Sequence, residues 1–212
     1  HFGYVVPPEF VDVIMIAPHA PGIAVREKFL EHESISAFTS VSQDFTGKAK
    51  SKLIRLSKAF GITKSKLVET TFKDEAIGDL FGEQTVLCGG MSELILAGYN
   101  TLVKNGIPEE NAYLEVAYQL DLIIELIKKY GIEGMYERIS VAARFGSLQN
   151  GKKIIDSSVS KKMEKVYEEI ASGKFPDKLN KLTKDDIDQL GKKVKKSSVS
   201  SYEFFARKYS KK

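Results

Sequence analysis

The stretch DEAIGDLFGEQTVLCGGMSELILAGYNTLVKN, residues 74–105, decides the fold, because here strand signals give way to helical ones. From Asp74 to Leu87 apolar residues recur at helical intervals. Gly89 and Gly90 interrupt the pattern before a second helix, Met91 to Asn105, which stops at Gly106. Asp79 and Glu83 stand four residues apart on the first helix, so their side chains share one face, one turn apart. Two like charges repel there, and a solvated acidic face is the ordinary explanation for such a pair. Against it, Leu80, Phe81, Val86 and Leu87 are apolar, and Gly78, Gly82, Gly89 and Gly90 weaken a helix and let other backbone approach closely.

Downstream, Pro108 opens a long helix with Glu109 and Glu110 in its first turn, and Lys128 and Lys129 precede the Gly131 that ends it. Both charge placements suit the helix dipole. Leu114, Ala117, Leu120, Ile123, Ile124 and Ile127 nearly encircle it, which predicts a central, buried helix. Glu115 would then be a buried carboxylate in need of a counter-charge or a metal. Carboxylates on two helices, with no histidine or cysteine ligand pattern beside them, favour a hard cation, and Mg²⁺ is the default. Shorter helices follow from Tyr136, from Ser160 to Ala171, and from Lys184 toward a lysine-rich end.

Upstream, Val11 to Ala17 reads as a buried strand stopped by Pro18-His19-Ala20-Pro21-Gly22, and Ile23 to Leu30 as a short helix. Strands at Ile35 to Val41 and Leu67 to Thr71 flank a helix from Thr46 to Phe60. Such alternation predicts βαβ units and a parallel sheet, with a ligand site at the strands' carboxyl ends, where the Pro18–Gly22 loop would lie. The boundary near Thr71 separates an α/β part, residues 1–71, from an all-helical part, residues 72–212.

The formal net charge of +4 is modest, and the C-terminal lysines alternate with acidic residues, which describes a solvated helical surface and argues against nucleic acid. Cys88 is the only cysteine, so neither an intrachain disulfide nor a cysteine-based zinc cluster can form. This suits a reducing cytoplasm, with Cys88 itself expected as a buried apolar residue. No apolar run approaching the roughly 20 residues of a membrane span stands out, and no membrane partner is expected. The chain opens at His1 without an initiator methionine, so we expect a piece of something longer.

At these residues the sequence resembles the short, class I form of ketol-acid reductoisomerase. The resemblance rests on residues 69–75, ETTFKDE, and 79–90, DLFGEQTVLCGG, and continues through Glu93-Leu94, Ala97-Gly98, residues 112–115, AYLE, then Leu122-Ile123 and Ile139-Ser140. It reaches backward through residues 12–18, DVIMIAP, then Pro21-Gly22 and Val25-Arg26 to His1-Phe2-Gly3, covering roughly residues 1–155. It implies a partial Rossmann-like α/β segment followed by an all-α, knotted-type domain that pairs into a homodimer. It also implies conversion of acetohydroxy acids to 2,3-dihydroxy acids in valine and isoleucine synthesis, with two Mg²⁺ and NADPH. Carried over residue by residue, the metal ligands fall on Asp79, Glu83 and Glu115, a cofactor-contacting glycine on Gly22, and a substrate-binding serine on Ser140, whose plainer reading is a helix cap.

The departures point elsewhere. Gln119 stands at the fourth ligand position, where the family has a carboxylate, so a second cation would be held weakly. His19 replaces a lysine, and Arg138, Val141, Ala142 and Arg144 alter the surroundings of Ser140. The Gly-x-Gly-x-x-Gly loop and the histidine-bearing motif of the family are absent from this sequence. Besides the enzyme, two readings stand: a catalytically impaired paralogue kept as a dimerising structural module, and a free-standing metal-binding protein.

Overall fold

The computed structural model describes residues 1–210. By contacts the chain divides into two compact units, one of His1–Gly82 and one beginning at Glu83.

In the first unit, strands β1 (Val13–Pro18), β2 (Ala37–Gln43) and β3 (Leu67–Glu69) form a sheet in that order, with helices α1 (Gly22–Leu30) and α2 (Ala49–Ala59) between them and α3 (Phe72–Gly82) after them. The expected all-parallel sheet is not what forms. β2 and β3 are parallel, but β1 runs antiparallel to β2, from Val13 opposite Gln43 to Pro18 opposite Ala37. The reason lies in the connecting helices. A parallel return needs a helix that packs along the sheet; α2 does this, burying Ala49, Leu53 and Ser57 on one stripe, whereas α1 buries none of its residues. The Pro18–Gly22 loop therefore sits beside the amino end of β2, away from any shared row of strand carboxyl ends.

Ala37, Ala49, Leu53 and Ile62 make up the core of this unit, and Ile77 of α3 is buried as well. An ion pair with a covered carboxylate and a half-exposed lysine ties β1 to α2. Asp12, only 7% exposed, accepts from Lys52 Nζ at 2.5 Å, from the Thr46 amide at 2.9 Å and from the Thr46 hydroxyl at 2.6 Å. These three donors hold its carboxyl well below the usual carboxylate range, the lysine contributing most.

The second unit is all helical among the described residues. Its first turn, Glu83–Leu87, continues α3 as a π-helical turn and leads into α4 (Gly89–Lys104). Gly89 and Gly90, read as an interruption, are what let the chain continue helically. A Cβ would lie 2.2 Å from the Gln84 carbonyl oxygen at Gly89 and 2.0 Å from that of Thr85 at Gly90, so only glycine fits behind the widened turn. After α5 (Glu109–Tyr113) comes a second π-helical turn, Leu114–Tyr118, and then α6 (Leu120–Arg138), broken at Gly131 by a φ of 72°. The long helix is thus three pieces, and only its first is buried as expected: α5 buries Ala112 and Tyr113, whereas within α6 only Gly134 is buried. Ringed apolar positions signal burial only where another layer covers them: Leu114 and Ala117 pack on the Tyr99 and Tyr113 cluster, while Leu122, Ile123 and Ile132 of α6 stay exposed.

Helices α7 (Val141–Ile154), α8 (Ser157–Ala171), α9 (Lys174–Asn180), α10 (Lys184–Ser197) and α11 (Ser200–Tyr209) complete the unit. Its hydrophobic cluster is Tyr99, Ala112 and Tyr113, closed by Val199, Tyr202, Phe205, Ala206 and Tyr209. The lysine-rich end is therefore only half a solvated surface. α10 buries nothing, while α11 supplies a face of the core, with Tyr202 edge-on to Tyr99 at 5.5 Å and Tyr209 stacked on Tyr113 at 5.9 Å.

Two further expectations change. Cys88 is exposed. The segment Phe72–Lys104, 33 residues with a mean hydropathy of 1.3 in its most apolar window, is long and apolar enough to cross a membrane by length and composition. Val86, Leu87, Leu94, Ile95, Leu96, Leu102 and Val103 keep the average high, while glycines and polar residues between them break any conspicuous apolar run.

Candidate metal and substrate site

Each π-helical turn carries one of the carboxylates singled out above. Glu83 opens the first turn and Glu115 is the second residue of the other. A π turn adds a residue to the helix and re-aims the side chains around it, and such turns concentrate at functional sites. α4 joins the two: it follows the first directly and packs on the second at Gly98, where a Cβ would lie 3.5 Å from Val116 Cγ1.

Asp79, Glu83, Glu115 and Gln119 are all exposed. Glu115 is thus not the buried carboxylate that the helical pattern predicts, and burial alone does not demand a counter-charge for it. Among the described residues, no three histidine, cysteine, aspartate or glutamate side chains lie close enough together to hold a metal ion. The donors are oxygens, as Mg²⁺ requires, but one chain does not gather three of them. Asp79 also has an acidic neighbour that spacing alone passed over. Glu75, one turn earlier on α3, is partly buried, and that burial, with the charge of Asp79, pushes its carboxyl above the usual range.

Gln119 is turned toward Glu115. Its Nε2 donates to Glu115 Oε2 at 3.2 Å and to the Leu114 carbonyl at 3.3 Å.

Ser140 is the N-cap of α7, and its Oγ accepts from the Ala143 amide at 3.1 Å. The cap uses a lone pair and leaves the hydroxyl proton free to donate, so the structural and the substrate-binding reading are compatible. One turn on, Arg144 donates to the Glu137 carbonyl at 3.4 Å, while its Nε is buried without a partner. Among the described residues, the other buried side-chain polar atom without a partner is Gln84 Nε2, next to Glu83. Both therefore adjoin candidate site residues. A buried donor left unmet costs about 1–3 kcal/mol, which a ligand or a second surface would recover.

Gly22 is the first residue of α1, whose N-cap Pro21 gives no side-chain cap, and a Cβ there would meet nothing within 4 Å. The glycine is thus required neither by packing nor by a left-handed backbone, and the space before it is open. A cavity of about 240 Å³ beside it is lined by Gly22, Val25, Arg26, Phe29, Ala59 and Phe60. His19 Nδ1 is hydrogen-bonded to Ser36 Oγ at 2.8 Å, with its ring edge-on to Phe38.

Residues 72–207 match the family model for the ketol-acid reductoisomerase C-terminal domain, and residues 1–66 that for the acetohydroxy acid isomeroreductase NADPH-binding domain. The chain is 42% identical over 213 residues to a ketol-acid reductoisomerase (NADP(+)) of Pyrococcus abyssi, covering 99% of this chain and 64% of that protein. With its counterpart from Cenarchaeum symbiosum it shares 40% identity over 209 residues, covering 98% of this chain and 63% of the relative. A solved structure of an NADH-preferring ketol-acid reductoisomerase from an uncultured archean matches with a TM-score of 0.90 at 37% identity, covering 99% of this chain and 63% of that one. The chain therefore spans just under two thirds of the length of these relatives. On the match across residues 72–207, it belongs to the ketol-acid reductoisomerase family.

Proposed function

We propose that the protein carrying this chain is a ketol-acid reductoisomerase, converting acetohydroxy acids such as 2-acetolactate to 2,3-dihydroxy acids in branched-chain amino-acid biosynthesis. The observation that carries this is the family match over the helical domain, with Asp79 on α3, Glu83 in the first π turn and Glu115 in the second. We place the functional boundary near Thr71, between the two matched regions, and the protein in the cytoplasm with no membrane or nucleic-acid partner. Asp79 and Glu83 on one side of α4 in sequence, and Glu115 on the other, would hold Mg²⁺. Bound there, the cation would supply Lewis-acid polarisation of the substrate's oxygens, and NADPH the hydride.

The chain's own groups do the rest. The Ser140 hydroxyl, already oriented by its cap bond, donates to the acid substrate, and Arg144 brings positive charge to the same turn. Gly22 leaves room for the cofactor at the uncapped start of α1.

A homodimer belongs to the same proposal. On α7, Val141, Phe145 and Leu148 are 80%, 68% and 63% exposed at spacings of four and three, a single apolar stripe. A second copy would cover such surface and bring further carboxylates to ligands that one chain leaves apart. Gln119 favours a second reading, in which catalysis is impaired and the dimerising module persists.

The test is NADPH oxidation by the intact protein with 2-acetolactate and Mg²⁺. Magnesium-dependent turnover that Asp79→Asn abolishes supports the enzyme. Turnover indifferent to Asp79→Asn refutes the metal assignment, and a dimer without turnover supports the impaired paralogue.

A further inference from the structure

We infer that Gln119 is a positioning residue that fixes Glu115 by one carboxylate oxygen and limits the site to one divalent cation per chain. The inference rests on the metal reading above and goes further, because it concerns how many cations this particular side-chain set can hold.

The orientation of the Gln119 amide is not arbitrary. Its two neighbours, Glu115 Oε2 at 3.2 Å and the Leu114 carbonyl oxygen at 3.3 Å, can only accept hydrogen bonds. Reversing the amide would set its oxygen against two acceptors, so Nε2 faces both of them and both its hydrogens are used. The π turn makes the arrangement possible, since it brings the Leu114 carbonyl and the Glu115 carboxylate within reach of one side chain.

Two consequences follow. Glu115 keeps Oε1 unengaged, so that oxygen is the one open to a cation, while a second cation on Oε2 would have to compete with the hydrogen bond from Gln119. The charge also falls short. Brought together as the metal reading requires, Asp79, Glu83 and Glu115 would offer three negative charges, which exceed the two of a single divalent ion but do not balance the four of a pair. A glutamate at 119 would reverse both conditions, since it cannot donate to Glu115 and it adds a fourth carboxylate. Gln119 thus supplies by hydrogen bonding the restraint on Glu115 that a second cation would otherwise supply.

The measurement is Mn²⁺ binding to the intact protein, counted from the loss of the free-ion electron paramagnetic resonance signal, with melting curves to confirm that each variant is folded. The wild type is expected to bind one Mn²⁺ per chain and Gln119→Glu two. Gln119→Met, similar in size but unable to donate, is expected to keep one site with affinity about tenfold weaker, as for loss of a partner that orients a ligand. Two tight sites in the wild type, or a single site in folded Gln119→Glu, would overturn the inference. If wild-type Mn²⁺ binding is lost in Asp79→Asn, such a failure leaves the metal reading intact. Absence of saturable binding in the wild type, or binding that Asp79→Asn does not change, overturns the metal reading and this inference together.

Discussion

The two units of this chain solve the problem of burial differently. In the first, α2 lies along a three-stranded sheet and buries an interior stripe, and an ion pair between covered Asp12 and half-exposed Lys52 fastens strand to helix. In the second, a longer run of helices gathers one aromatic cluster around Tyr99 and Tyr113, closed by α11, and leaves the apolar residues of α6 and α7 largely uncovered. A helical unit whose interior is this local, with apolar stripes facing outward, is stable in sections and lends itself to completion by another surface.

The sharpest way to break the contrast is at Tyr99, 1% exposed, edge-on to Tyr202 and hydrogen-bonded to Ser201 at 2.8 Å. Tyr99→Ala removes the ring on which α11 rests. We expect a loss of about 3–5 kcal/mol, as for other buried aromatic truncations, with the helical unit melting ahead of the sheet unit in thermal unfolding followed by hydrogen exchange. Uniform loss of protection across both units would show that the aromatic cluster is not a local core.

How much of this was legible beforehand follows the same division. The α/β-then-helical order, the stop at Gly131 and the cap at Ser140 are local matters of glycine, capping and periodicity, and sequence carries them directly. The direction of β1 was not legible, because alternation of strand and helix does not say whether the helix between them packs on the sheet, and α1 does not. The role of α11 was hidden for a related reason. Lysines 208, 211 and 212 and Arg207 set the tone of that segment, while Tyr202, Phe205 and Tyr209, spaced at three and four, carry its packing. At the candidate site the acidic residues stood out by spacing. The π turns that re-aim them have no periodic signature of their own, although the Gly89-Gly90 pair marks where one of them must end. The donor role of Gln119 needed the position of the Leu114 carbonyl, which spacing does not supply.

A smaller effect is expected on α7, where the comparison turns from folding to association. Phe145→Asp places a charge in the middle of the Val141, Phe145 and Leu148 stripe. If a second copy covers that stripe, sedimentation should show the wild-type dimer shifting toward monomer at micromolar concentration, while the melting of the sheet unit stays unchanged. A variant that remains dimeric would mean that the interface lies on another face, with the α7 stripe open to solvent or covered by a different partner.

The smallest effect sharpens the first unit. In the native chain Asp12 is held ionised below the ordinary carboxylate range by Lys52 and Thr46, so its contribution to stability is complete above the unfolded-state value near pH 4 and falls away as acid protonates it. Asp12→Asn removes that dependence while preserving shape, and leaves an amide that can still accept from Thr46. The variant should therefore melt below the wild type at neutral pH, and the two curves should converge as pH falls below about 4. Because the pair ties β1 to α2, the gap should appear in the exchange protection of β1 and β2 and not in that of α4 or α5. A pH-independent gap would assign the contribution of Asp12 to packing, and a gap felt equally at Tyr99 would mean that the two units unfold as one.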